Sequence, residues 1–204
     1  MALRDAAQEH LATKKYFDRQ FETDAMKVLP GEYYATADDI MITTLLGSCV
    51  AVCLYDPVSK VGGMNHFLLP EGDPNDLLSA SGRYGVYAME LLINHLVKLG
   101  GRRDRFRAKI FGGGAVIKGM THNNVGKNNA EFIQLFLNNE CIPIDASDLL
   151  DIYPRRVNFF PVSGKAMMKK LTKHYDNELI DNEIRYKKAV VESSQVDSGD
   201  IDLF

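Results

Sequence analysis

Two side chains in this sequence suit nucleophilic catalysis: Cys49 in "LLGSCVAVCLYD" and His66 in "VGGMNHFLLP". Cys49 follows a Gly-Ser turn and heads an apolar run, whereas a cysteine that only fills a core has no need of the turn. A free thiol has a pKa of about 8.5 and is mostly protonated at neutral pH. An imidazole beside it can take the proton and hold the thiolate as an ion pair. Such a dyad needs a third polar group to orient the imidazole, and Thr43 or Thr44 on the preceding strand can supply one. Backbone N–H groups of the Gly47-Ser48-Cys49 turn, those of Ser48 and Cys49 above all, are candidates for an oxyanion hole.

The elements that must position this pair are three strand-length apolar runs, 40–46, 49–55 and 61–69. The last two are joined by "DPVSK". Pro57-Val58 does not suit a two-residue hairpin turn, so a four-residue loop pairing Asp56 with Val61 is expected. That register sets Cys49 opposite Leu68 and puts His66 two residues along on the same face, where diagonal neighbours lie about 7–8 Å apart. A slip of one residue would send His66 to the other face.

Other chemistries fit less well. Cys49 and Cys53 have a C-x3-C spacing, but four residues of strand span about 13 Å, too far for one tetrahedral ion or for a disulfide. No metal is expected. His95 falls within a helical pattern, and His10, His122 and His174 lie in polar surroundings. "FGGGA" lacks the lysine and spacing of a phosphate-binding loop, so it is read as close backbone packing beside the site.

The 204 residues carry a net charge of −3 and 46% hydrophobic content. That balance suits one domain with appendages and argues against nucleic acid or a membrane surface as partner. The run "GRRDRFRAK" at 101–109 is read as a solvated face. No window approaches the roughly 18 apolar residues of a membrane span, and the N-terminus is too charged for a secretory signal. The expected location is the cytoplasm, with Cys49, Cys53 and Cys141 reduced.

Elsewhere, Val86, Met89, Leu92, Ile93, Leu96 and Leu99 predict a helix over 83–99, stopped by Gly100-Gly101. A glycine-interrupted strand is expected over 108–117. A second helix follows over 129–140, with Phe132, Leu135, Phe136 and Asn139 on one stripe. "CIPIDASDL" and the pair "RRVNFFPV"/"KAMMKKL", turned at Ser163-Gly164, add strands. The order predicts an α+β fold. Residues 1–27 are expected to be an N-terminal helical arm, 28–172 the catalytic domain, and 173–204 a flexible acidic tail.

The ordered blocks "LPGEYY", "LLGSCVAVCLYDP", "GGMNHFLLP", "RYGVYAMELLI", "KIFGGGA" and "VGKNNAEF" resemble the chemoreceptor glutamine deamidase family, CheD, over roughly residues 28–172. The resemblance implies a bacterial enzyme that hydrolyses glutamine side chains on chemotaxis receptors to glutamate. It implies a β-sandwich-like core with helices outside, similar to deamidating toxin domains, and no cofactor. The family nucleophile then falls on Cys49 and its histidine on His66. Its threonine, six residues before the cysteine, falls on Thr43 rather than Thr44. The implied partners are receptor cytoplasmic domains and a CheC-type phosphatase. The competing readings are a non-catalytic module that docks on those partners and a thiol hydrolase of small amides.

Overall fold

The computed structural model describes residues 10–69, 79–116, 125–172 and the single residue 185. In chain order the strands are β1 (Lys14–Asp18), β2 (Thr23–Lys27), β3 (Tyr33–Thr36), β4 (Met41–Leu46), β5 (Val50–Asp56) and β6 (Val61–Phe67). Helix α1 (Ala80–Lys98) precedes β7 (Arg107–Gly112), and α2 (Val125–Asn139) precedes β8 (Ile144–Leu149), β9 (Arg155–Phe160) and β10 (Lys165–Lys170). Two five-stranded sheets result, ordered β1-β2-β4-β9-β10 and β3-β6-β5-β7-β8. The chain crosses from the first sheet to the second between β4 and β5, at Gly47-Ser48-Cys49.

Strand alternation sorts the side chains of β5 into two layers. Val50, Val52 and Leu54 pack with Phe67 and Ile110 against Met89, Leu92, Phe132 and Phe136 of the helices. Cys49, Ala51 and Cys53 face the other way, with Met64 and Leu68, onto Ile42, Leu46, Val157 and Phe159 of the first sheet. Sheet, sheet and helices therefore form three layers, the α+β sandwich-like architecture expected. Burial on both faces is why β5 reads as a nearly unbroken apolar run.

The β5–β6 hairpin has the expected register, with Asp56 opposite Val61 and Ala51 opposite His66. Asp56 holds its loop by accepting from the N–H groups of Val58 (2.8 Å) and Ser59 (3.1 Å). It also accepts from the Arg102 N–H (3.1 Å) and from Arg105 Nε (3.0 Å). Burial alone would raise its pKa, but the hydrogen bonds from Ser59, Val58 and Arg102 outweigh that and hold it below the ordinary carboxylate value. The other arginines of the basic run also meet carboxylates: Arg102 with Asp104, Arg103 with Glu90 and Glu140, and Arg107 with Asp145.

Several expectations need correction. Residues 14–27 are not helical: β1 and β2 form an antiparallel hairpin turned by Asp18, whose Oδ1 accepts from the N–H groups of Gln20 and Phe21. β2 then pairs in parallel with β4, Ala25 opposite Met41. That pairing is parallel and skips over β3, which joins the other sheet, so the polar local sequence carries little sign of it. β3, antiparallel to β6, was not anticipated. α1 starts at Ala80 behind an N-cap, the Ser79 side chain accepting from the Gly82 N–H at 3.0 Å, and Leu99 is its largely exposed C-cap. α2 starts four residues earlier than expected, and its buried face holds Asn129, Phe132, Ile133, Phe136 and Leu137 rather than Leu135 and Asn139. Among the described residues no helix is long and apolar enough to cross a membrane. The expected acidic tail, apart from residue 185, and residues 1–9 of the expected arm lie outside the described residues.

Candidate active site

The turn that changes sheets carries Cys49, which is fully buried, and all three carbonyls of the turn are tied down. Gly47 O accepts from the Gly114 N–H (2.7 Å) and Cys49 O from the Gly113 N–H (2.8 Å). Ser48 O accepts from Asn129 Nδ2 at 2.9 Å. The glycine run after β7 thus lies backbone to backbone against the cysteine turn, as expected of "FGGGA". At Gly112, where φ is +117°, a Cβ would collide with the Cys49 carbonyl oxygen.

His66 lies on β6 facing the layer between the sheets. One step beyond the Val50–Phe67 pair Leu68 stands opposite Cys49, so His66 is the diagonal neighbour of the thiol on its own face. Its backbone is clamped by the "LPGE" turn: the Gly31 N–H donates to His66 O (2.7 Å) and the His66 N–H donates to Glu32 O (3.0 Å).

The imidazole is oriented from the opposite sheet. His66 Nδ1 meets Thr44 Oγ1 at 2.8 Å, and Thr44 Oγ1 donates to Val28 O at 2.7 Å. A hydroxyl has one proton, and a carbonyl can only accept. Thr44 therefore spends its proton on Val28 and must accept from Nδ1–H, which assigns the tautomer. Nε2 is left as the basic nitrogen. It is the one buried side-chain polar atom among the described residues without a hydrogen-bond partner. An unsatisfied buried acceptor of this kind calls for an explanation, and a proton coming from a thiol provides one. Burial pushes the imidazole pKa down to about 3, a fall that hydrogen bonding to the Val28 carbonyl only partly offsets. The ring is neutral at physiological pH and ready to accept.

Thr43 does not join this group. Neighbouring residues on a strand point to opposite faces, so Thr44 reaches His66 while Thr43 turns outward. Its hydroxyl lies 2.6 Å from Asn158 Oδ1 and 3.2 Å from Val157 O. It lines a hollow of about 400 Å3 on the outer face of the first sheet, with Tyr16, Lys27, Arg156 and Asn158. The orienting contact expected of Thr43 is made by Thr44.

Comparison with known proteins places the chain in a family. A family model described as "CheD chemotactic sensory transduction" matches residues 68–170. The chain is 52% identical over 202 residues to the probable chemoreceptor glutamine deamidase CheD 1 of Dechloromonas aromatica, covering 99% of this chain and 100% of that one. The chain belongs to the CheD family. A second CheD relative, the probable chemoreceptor glutamine deamidase CheD 1 of Shewanella oneidensis, is 52% identical over 193 residues, covering 93% of this chain and 92% of that one. Among solved structures, the Bacillus licheniformis hypothetical protein YfiH aligns over 59% of this chain and 49% of its own at a TM-score of 0.37 and 16% identity.

Three features of the candidate site are not settled by the sequence: which of the two threonines meets His66, the Val28 carbonyl behind Thr44, and Asn129 on α2. The adjacent threonines were both in view, but which one faces the histidine is set by the packing of one sheet on the other. Asn129 lies in the "VGKNNAEF" block and is fully buried, its partners 60 and 81 residues away along the chain.

Proposed function

We propose that this CheD-family chain is a protein-glutamine deamidase that converts glutamines of chemotaxis receptors to glutamate, with Cys49 as nucleophile and His66 as base. The observation that carries the reading is the unpartnered Nε2 of a neutral, tautomer-fixed imidazole, diagonal to a thiol on a pinned turn. Near-full-length identity to proteins named probable chemoreceptor glutamine deamidases supplies the substrate class.

The pair rests as neutral thiol and neutral imidazole, because burial disfavours an imidazolium. As the glutamine side chain arrives, Cys49 Sγ gives its proton to His66 Nε2 and attacks the carboxamide carbon. The Ser48 and Cys49 N–H groups are the candidate donors to the oxyanion. The Nε2 proton passes to the leaving nitrogen, ammonia departs, and a thioester remains. Water, deprotonated by the same nitrogen, hydrolyses the thioester and releases glutamate and the thiol. No redox change occurs, and the chain's own residues supply every proton transfer. Thr44 holds Nδ1 throughout.

A module that only docks on receptors or on a CheC-type phosphatase has no use for a buried base with an empty acceptor, so docking is assigned a supporting part. The deciding experiment incubates the chain with receptor cytoplasmic fragments and maps Gln-to-Glu conversion by mass spectrometry. Conversion by the native chain and none by Cys49→Ala is expected. Conversion by both proteins would refute the assignment of Cys49, and conversion by neither would refute the activity.

A further inference from the structure

Asn129 lies in the helical layer, yet it touches both halves of the site. Its Oδ1 accepts from the Leu69 N–H at 2.8 Å, three residues past His66, and its Nδ2 donates to Ser48 O at 2.9 Å, one residue before Cys49. The orientation of the amide is forced, since Leu69 N–H can only donate and Ser48 O can only accept. A buried, doubly satisfied side chain is thus a cross-brace between the nucleophile's turn and the strand of the base.

The consequence follows from peptide geometry. No peptide bond in the described chain is cis. In a trans peptide the C=O and the following N–H point in opposite directions. Because Ser48 O is drawn toward Asn129 on α2, the Cys49 N–H points the opposite way, away from that amide. We propose that Asn129 is a positioning residue for the oxyanion hole: its amide fixes the Ser48–Cys49 peptide so that the Cys49 N–H faces the reacting carbonyl. This rests on Cys49 being the nucleophile. It does not depend on what the natural substrate is.

Two small probes of the same thiol separate this role from simple support of the fold. p-Nitrophenyl acetate acylates through a tetrahedral oxyanion: the thiol proton passes to His66 Nε2, the sulfur–acyl bond forms, and p-nitrophenolate leaves with the electron pair of the broken C–O bond. Iodoacetamide alkylates by direct displacement of iodide and builds no oxyanion. The assay uses the full chain with Cys141→Ser, because Cys141 is an exposed thiol, and follows each adduct on Cys49 by peptide mapping.

Two variants are compared with this parent, Asn129→Leu and Asn129→Asp. The first removes both hydrogen bonds at similar volume. The second keeps an acceptor for Leu69 N–H and sets an oxygen against Ser48 O, so it cuts only the bond at issue. Both should show acylation slowed about 10- to 100-fold, at or below the bottom of the range of about 100- to 1000-fold for outright loss of an oxyanion donor, because the donor is displaced rather than removed. Alkylation should stay within about 3-fold, and on a glutamine peptide the loss should fall on kcat rather than KM. Acylation and alkylation falling in parallel would make Asn129 a general support and overturn the proposal. So would acylation unchanged in Asn129→Asp, or a parent Cys49 inert to both probes. If one variant does not fold, the other carries the comparison. Failure of the deamidase reading would appear separately, as intact acylation of Cys49 with no Gln-to-Glu change on any receptor fragment.

Discussion

Thr44 Oγ1 and His66 Nδ1 meet at 2.8 Å across the gap between two sheets, and the same hydroxyl donates to Val28 O at 2.7 Å. The imidazole is therefore oriented by a strand of one sheet while it is carried by a strand of the other, so the packing of the layers and the setting of the ring are linked through a single hydroxyl.

The first prediction separates the two threonines. Thr44→Val removes the acceptor for Nδ1–H at nearly constant volume and frees the ring to turn or to change tautomer. Deamidation should fall about 100-fold, the scale expected when a catalytic group is misplaced by about 1 Å. Thr43→Val affects only the outer face, where its hydroxyl meets Asn158 and Val157, and should change activity less than about 3-fold. Steady-state kinetics on one glutamine substrate decide the matter, and the opposite order would return the orienting role to Thr43.

The second prediction concerns acid. His66 has a folded-state pKa of about 3, below its unfolded value near 6.5. Between those values the unfolded chain binds a proton that the folded chain refuses, so stability is complete above about pH 6.5 and is lost as the pH falls toward 3. One such proton is worth about 1.4 kcal/mol per pH unit in that window. His95 contributes in the same direction, its pKa also lowered by burial and by Lys98. Urea melts at pH 7 and pH 5 should show a smaller loss for His66→Gln than for the native chain. Equal losses would mean that His66 titrates normally in the folded state.

What was legible in the sequence was local. The β5–β6 register was readable because "DPVSK" closes a short loop and Asp56 caps its N–H groups, so Cys49 and His66 fell on one face without reference to the rest of the fold. The β9–β10 hairpin was readable for the same reason, with Phe160 opposite Lys165. What was missed is nonlocal. β2 is a strand because β4 accepts it in parallel, Thr44 is chosen over Thr43 by the facing sheet, and Asn129 gains its meaning from Ser48 and Leu69. In each case the deciding partner lies beyond the neighbouring element of the chain, where no periodicity announces it.

The third prediction uses two glycines. Both Gly112 and Gly100 have positive φ, +117° and +97°, so alanine is strained at either position. A Cβ at Gly112 also strikes the Cys49 carbonyl, whereas none of the neighbours counted at Gly100 lies within 4 Å. Gly100→Ala should cost only the backbone term, about 1 kcal/mol, and leave activity intact. Gly112→Ala should cost about 2–4 kcal/mol and lose activity beyond what the unfolded fraction explains, since the carbonyl it displaces belongs to Cys49, the proposed nucleophile. Thermal melts paired with kinetics well below the transition test both statements. Full activity in a folded Gly112→Ala protein would show that the turn tolerates movement at Cys49.

The fourth prediction ranks the thiols. Cys141 is exposed, whereas Cys49 and Cys53 are buried in the layer between the sheets. Burial pushes the Cys53 thiol well up, with Lys109 only partly opposing it, and a protonated thiol is a poor nucleophile. Cys49 differs in lying at a turn, diagonal to a neutral imidazole with a free Nε2. Iodoacetamide should therefore label Cys141 and Cys49 in the native chain and reach Cys53 only after unfolding. Cys49→Ala should lower deamidation by on the order of 10⁶, the scale for loss of a covalent nucleophile, with little change in the melting curve. Cys53→Ala should do the reverse, keeping most of the activity while opening a small cavity worth about 1–2 kcal/mol. Native labelling of Cys53 ahead of Cys49 would mean that the imidazole serves a different thiol from the one at the turn.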